Sequence, residues 1–186
     1  MRNFKELLEE NPVIAAVKDM NGLNKALESD VQVIFVLFGN IINISEISKK
    51  IYDNKKVGII HIDLVDGLAS REIAIEFLKN NTKFHGIIST KPQVIKAAKN
   101  YGFIAIQRSF ILDTISLINV KNHLVESCDA VEILPGLLFK VMNKLSKTIN
   151  KPLIAGGLIS DKEDVVEALR SGATCISTTR EEIWDM

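Results

Sequence analysis

Two turns near the C-terminal end of the chain carry the groups best suited to hold an anion. Gly156-Gly157 closes the apolar run Leu153-Ile-Ala155, and Ser177-Thr178-Thr179 closes Cys175-Ile176. Glycine lets backbone N–H groups come close to a ligand. Hydroxyls and the start of a short helix add donors and a favourable dipole. Taken singly, Gly-Gly is a tight turn and Ser-Thr-Thr a helix cap. Following two consecutive parallel strands, they match the phosphate site that the loops after strands 7 and 8 of a (β/α)8 barrel commonly build. Gly156, Gly157, Ser177 and Thr178 are therefore the expected phosphate-binding residues.

A second set of groups breaks the pattern of its surroundings. Strands of a parallel barrel are buried on both faces and should read as continuous Val, Ile and Leu. Lys18, His61, Asp63, Gln107, Arg108 and Glu132 interrupt such runs near their C-terminal ends. Side chains alternate along a strand. Ile60 and Ile62 thus oppose His61 and Asp63, Ile104 and Ile106 oppose Ala105 and Gln107, and Val131 and Ile133 oppose Ala130 and Glu132. If the branched set packs against helices, Lys18, His61, Asp63, Gln107 and Glu132 point into the lumen near its mouth, where active sites of this fold lie. A buried carboxylate there needs a partner, and Lys18 is the expected one. Such a floor suits the hydroxyls of a small phosphorylated ligand. It could instead be an internal salt bridge, or run acid–base chemistry.

The elements that must position these groups follow from periodicity. Strands are expected at 13–17, 31–38, 57–63, 86–88, 103–107, 130–134, 153–155 and from 174, roughly 23 residues apart. Helices are expected at 4–10, 21–28, 45–52, 70–79, 92–100, 112–123 and 137–149. A last helix opens at Ser160-Asp-Lys-Glu163, which has the form of a capping box, and stops at Gly172 in the left-handed cap position. Eight alternations predict a compact α/β (β/α)8 barrel in one domain, shorter than the roughly 200–250 residues usual for the fold. An open doubly wound sheet is the competing arrangement.

Composition narrows the function. The chain has 186 residues, 47% of them apolar, and 23 Lys plus Arg balance 23 Asp plus Glu. A net charge of zero gives no global field toward nucleic acid or membrane, so such binding needs a local patch. The longest uncharged stretch, 31–48, is interrupted by Gln32, Gly39, Asn40, Asn43 and Ser45 and does not read as a membrane span. The start of the chain is amphipathic and charged, unlike a secretory segment. Cys128 and Cys175 lack metal spacing, and reduced thiols in a cytoplasmic protein are expected. No metal or other cofactor is expected, and no nucleophile triad can be placed.

In order and spacing, His61-Ile-Asp-Leu-Val-Asp-Gly-Leu68, Gly86-Ile-Ile-Ser-Thr90, Gln107-Arg108, Val131-Glu-Ile-Leu-Pro-Gly136, Ala155-Gly-Gly-Leu158 and Ser177-Thr178 resemble the glycerol-3-phosphate-responsive antiterminator family. The similarity runs over nearly the whole chain. The resemblance implies a non-enzymatic barrel regulator that takes glycerol 3-phosphate as effector. It also implies contact with the 5′ leader of a glycerol-operon messenger RNA, preventing early termination. No arginine-rich segment or RNA-recognition motif accompanies it. Lys91, Lys96 and Lys99, within the densest basic stretch, are the candidate RNA contacts, although an exposed helix face carries lysine anyway.

The first segment also looks like the motif of the metal-dependent ribulose-phosphate 3-epimerases. Here it follows the third strand rather than the second, a further metal histidine is missing, and Ala155 stands where that family has an aspartate. A metal-free phosphosugar isomerase using Lys18, Asp63 or Glu132 is the other enzymatic alternative. A closed barrel buries its edges, so any homo-oligomer is expected to use helices or mouth loops.

Overall fold

The architecture, taken from a computed structural model, is described for residues 3–186. Met1 and Arg2, which begin the expected domain, lie outside the described residues. Eight strands, β1 (Val13–Val17), β2 (Val33–Val36), β3 (Val57–His61), β4 (Gly86–Ser89), β5 (Ile104–Phe110), β6 (Ala130–Leu134), β7 (Leu153–Gly156) and β8 (Cys175–Thr178), pair in parallel and in sequence order. The β1–β8 pairing, with Val13 opposite Ile176 and Ala15 opposite Thr178, closes the barrel. The open sheet is thereby excluded. Eight helices accompany the strands: α1 (Phe4–Glu10), α2 (Met20–Glu28), α3 (Ile44–Asp53), α4 (Glu72–Asn81), α5 (Pro92–Asn100), α6 (Thr114–Asn122), α7 (Phe139–Ser146) and α8 (Lys162–Arg170).

Two apolar layers hold this together. The outer one lies between strands and helices and includes Val17, Val36, Ile60, Ile87, Val131 and Ile133. The lumen is filled by Ile14, Phe35, Ile59, Ile106, Ile154 and Cys175, with Leu8 of α1 among them. Helix α1 is capped by Asn3, whose side chain accepts from Lys5 N–H, and its Leu8 extends the lumen core below the strands. Gly86 marks how tight the lumen is. A Cβ there would lie 2.6 Å from both the Ile104 carbonyl oxygen and Ile59 Cδ1, and overpacking of that kind costs about 1–3 kcal/mol or more.

Several local expectations are corrected. β3 stops at His61, and Asp63 falls in a 3-10 turn, Ile62–Leu64. β2 is shorter than expected and β5 runs three residues further, to Phe110. Helix α8 is not opened by a Ser160–Glu163 capping box. Its N-cap is Asp161, whose carboxylate accepts from Asp164 N–H at 2.9 Å, while Asp164 turns back to take both Ser160 N–H and Oγ–H. Aspartate is as good an N-cap as serine, and one residue of slip is enough to exchange them. Gly172 does adopt the left-handed conformation, at φ 97°.

Candidate functional site

Glu132 of β6 is fully buried in the lumen. It has two partners from distant parts of the chain. Arg108 of β5, directly in register with it, donates Nε–H to Oε2. Ser177 of β8 donates its hydroxyl to Oε1 at 2.6 Å. Such pairing is what lets an ionised carboxylate remain in a barrel interior. Gly156 of β7 makes room for it: a Cβ there would stand 2.6 Å from Glu132 Oε1 and 3.0 Å from Ser177 Oγ. The role of Gly156 is thus clearance for the carboxylate.

This cluster floors a cavity of about 130 Å³ whose walls include Ala16, Leu37, Leu134, Gly157 and Thr179. Drug-sized ligands need about 300–1,000 Å³, so the cavity suits a molecule of a few carbons. The Nη groups of Arg108, which also lines it, make no hydrogen bond to protein among the described residues.

The rim is built by the loops after β7 and β8. Gly157 and Leu158 are successive left-handed residues, at φ 74° and 64°. For leucine that backbone costs on the order of 1–2 kcal/mol. Gly136 N–H donates to the Gly157 carbonyl at 3.1 Å, fixing that peptide. The N–H groups of Gly157, Leu158 and Thr179 meet no protein acceptor among the described residues. Thr178 bolts the two loops together: its hydroxyl donates to the Ile159 carbonyl at 2.8 Å and accepts Arg180 N–H at 3.1 Å. Trp184, buried after a C-terminal 3-10 turn, donates Nε1–H to the Thr178 carbonyl at 3.0 Å. With the Ser177 and Thr178 hydroxyl hydrogens both committed inside the protein, the donors left for an anion are the rim N–H groups and the guanidinium. Outside the rim the cavity continues into an open chamber of about 540 Å³ lined by Lys18, Leu158, Ile159, Ser160, Thr179 and Arg180.

The remaining expected residues divide. His61 faces the lumen as expected and is almost wholly buried, with Nδ1 lacking any hydrogen-bond partner among the described residues. Burial, reinforced by the Arg108 guanidinium and opposed by Asp63, lowers its pKa from 6.5 to about 4, so the imidazole is neutral near pH 7. Asp63 lies 4.0 Å from His61 Nδ1, yet its oxygens are taken. They accept from the Ser70 and Ser89 hydroxyls at 2.8 Å each and from Thr90 N–H at 3.0 Å, with Lys91 Nζ at 3.6 Å. Burial pushes this carboxyl up, and the three hydrogen bonds outweigh it and hold it below its ordinary range. Asp63 is therefore a strut tying the turn after β3 to the end of β4. Among the described residues no three His, Cys, Asp or Glu side chains converge as a metal-binding set.

Two placements differ from expectation. Gln107 points away from the lumen; its amide donates to the His123 carbonyl at 3.0 Å and its oxygen accepts Val125 N–H at 2.8 Å, pinning the loop before β6. Lys18 is exposed at the mouth and does not reach Glu132; Arg108 is the partner. Arg108 and Thr179 line the cavity, and Arg180 lines only the chamber outside it; none of the three was among the expected site residues. The parity of β5 could have revealed Arg108, had Ile106 rather than Ala105 been placed inside. Of the candidate RNA lysines, Lys99 Nζ on α5 bonds both Asp129 oxygens at 2.9 Å, Lys96 on α5 lines an outer groove with Asn100 and His123, and Lys91, just before α5, stands by Asp63. Both cysteines are buried and unpaired, and burial pushes the Cys128 thiol up to about 11 and Cys175 higher still. No helix among the described residues is long and apolar enough to cross a membrane.

Comparison with known proteins fits this geometry. A solved glycerol uptake operon antiterminator regulatory protein from Listeria monocytogenes superposes with a TM-score of 0.89 at 31% identity, over 92% of this chain and 94% of that one. A glycerol uptake operon antiterminator-related protein from Thermotoga maritima gives 0.84 at 31% identity, over 95% and 99%. An uncharacterised Escherichia coli protein, YgcP, is 46% identical over 97% of this chain and 95% of its own length. The profile of the glycerol-3-phosphate responsive antiterminators matches residues 13–184, nearly all of the barrel. The chain belongs to the glycerol-3-phosphate responsive antiterminator family.

Proposed function

We propose that the protein is a cytoplasmic regulator that binds glycerol 3-phosphate in the cavity at the barrel mouth. The bound effector raises its affinity for a messenger RNA leader and so prevents transcription termination. The observation that carries the reading is the buried Arg108–Glu132–Ser177 cluster beneath a cavity of about 130 Å³ whose rim offers unpaired N–H groups. A carboxylate accepts hydrogen bonds from hydroxyls, so Glu132 takes the glycerol end. The N–H groups of Gly157, Leu158 and Thr179 take the phosphate, as backbone donors at such turns do. No step of bond making is needed, and the family is regulatory.

The test pairs binding with turnover. Calorimetry should show glycerol 3-phosphate binding, with glycerol and inorganic phosphate each much weaker. Glu132→Gln, checked for folding by circular dichroism, should lose about 1.5–3 kcal/mol of effector affinity, about ten- to a hundredfold in Kd. Retention of leader RNA should rise with the effector, and linkage requires the RNA to tighten the effector by the same factor. Pentose phosphates incubated with the protein, with and without divalent metal, should show no isomer exchange. Fast metal-dependent exchange, with RNA binding indifferent to the effector, would replace this reading with an epimerase.

A further inference from the structure

The chamber outside the cavity rim is too large for the phosphate of a three-carbon effector. At about 540 Å³ it has several times the volume of the inner cavity. Its wall carries two exposed cations, Lys18 after β1 and Arg180 after β8, and among the described residues no carboxylate lines it. Neither cationic side chain has a protein partner among the described residues, and Glu181, next to Arg180, is drawn away to Lys25 at 2.6 Å. Lys99 of α5, by contrast, is paired with Asp129. Apolar groups stand exposed on the same face. Leu158, on the chamber wall, is 69% exposed, and Phe110, 49% exposed, ends β5 opposite Leu134 of the inner cavity.

We infer that the RNA docks across the barrel mouth: a backbone phosphate sits in the chamber between Lys18 and Arg180, and an unstacked base further along the strand lies on Phe110 at the end of β5, across the mouth. The inference rests on the RNA-binding reading above and names its surface. Unpaired cations and an exposed aromatic ring on one face are what single-stranded RNA uses, phosphate on one and base face on the other. The placement also supplies the coupling. Leu158, Ile159 and Thr179 line both the inner cavity and the chamber, so an effector held by the Leu158 and Thr179 N–H groups fixes the wall that the RNA phosphate meets.

The experiment measures RNA and effector separately. The RNA probe is a fluorescein-labelled leader of the source organism's glycerol-uptake operon, with a scrambled RNA of equal composition, titrated across a salt series with and without saturating glycerol 3-phosphate. Lys18→Gln combined with Arg180→Gln should weaken leader binding at least tenfold and flatten the salt slope by about 0.7, the value for one phosphate neutralised on a single strand. Phe110→Ala should weaken it at least fivefold without changing the slope. Both variants should bind effector, by calorimetry without RNA, within about fivefold of the wild type. Lys96→Gln in the outer groove should change nothing. Leader affinity and slope within twofold of wild type in the double variant would overturn the inference while leaving the regulator intact, and a loss in Lys96→Gln instead would move the RNA to the outer groove. A fall in effector affinity as large as the fall in RNA affinity would assign both cations to the effector alone. Wild-type protein that does not distinguish leader from scrambled RNA would defeat the RNA reading itself, and this surface with it.

Discussion

Acid should destabilise the protein through His61 over a defined window. The unfolded chain takes up a proton at this residue near pH 6.5, whereas in the folded barrel burial, and then the Arg108 guanidinium, delay uptake to about pH 4. Between those values the unfolded state binds more protons, so stability rises with pH. The contribution is fully present above about pH 6.5, is lost progressively as the pH falls toward 4, and changes no further below. A gap of about 2.5 units at about 1.36 kcal/mol each gives ~3 kcal/mol, a sizeable share of the ~5–15 kcal/mol of a typical domain. Urea unfolding followed by circular dichroism at steps between about pH 7.5 and pH 4 would measure it, in the wild type and in His61→Gln, which does not titrate. His85 is also held low by burial, but it is common to both proteins and cancels. Asp63 acts in a lower window: burial works against its charge and its hydrogen bonds favour it, so its contribution is lost as the pH falls below about 3.8. The expected result is a wild-type advantage that shrinks by ~3 kcal/mol across the window. Parallel profiles for the two proteins would refute the reasoning and imply that His61 titrates at its ordinary value.

Gly156→Ala should push Glu132 off its partners, because the new Cβ would stand 2.6 Å from Oε1; breaking a buried pair costs about 3–5 kcal/mol, and an unchanged thermal midpoint would show that Glu132 has room to move. Lys56→Met should cost about 1–3 kcal/mol in chemical denaturation, since the buried ammonium donates to the Ser29 and Val31 carbonyls at 2.5 and 2.7 Å and methionine leaves both unpaired. Cys128 and Cys175, with burial pushing both thiols up, should stay unmodified by a thiol reagent in the native protein and react at the rate of unfolding; rapid labelling of Cys175 would mean a more open lumen, and of Cys128 a looser outer layer.

Much of this protein was legible along the chain. The eight strand–helix units and the stop at Gly172 depend on hydrophobic period and glycine punctuation, which are local properties; Gly156 and Ser177-Thr178, expected as turns, are instead the last residues of β7 and β8. The lumen position of Glu132 is local too, since Val131 and Ile133 flank it on the outer face. Partners were another matter. Lys18 was expected to meet Glu132, and Arg108 does so; Gln107 was placed in the lumen, and it faces the loop before β6. The error is one residue of parity in β5, where isoleucine fills the lumen and Ala105 packs outward. A strand shows its alternation but not which set faces inward when both can be buried. That choice is made by closure: the register that sets Arg108 beside Glu132, and the crossing that brings Ser177 to the same carboxylate from 45 residues away. Asp63 repeats the lesson, since only the packed end of β4 supplies the Ser89 and Thr90 groups that occupy it. Local pattern placed each strand to within two residues of its start and showed which residue types gather at the strand ends. Only the tertiary structure decided which of them touch, because charge pairing in a lumen depends on the stagger of the whole sheet.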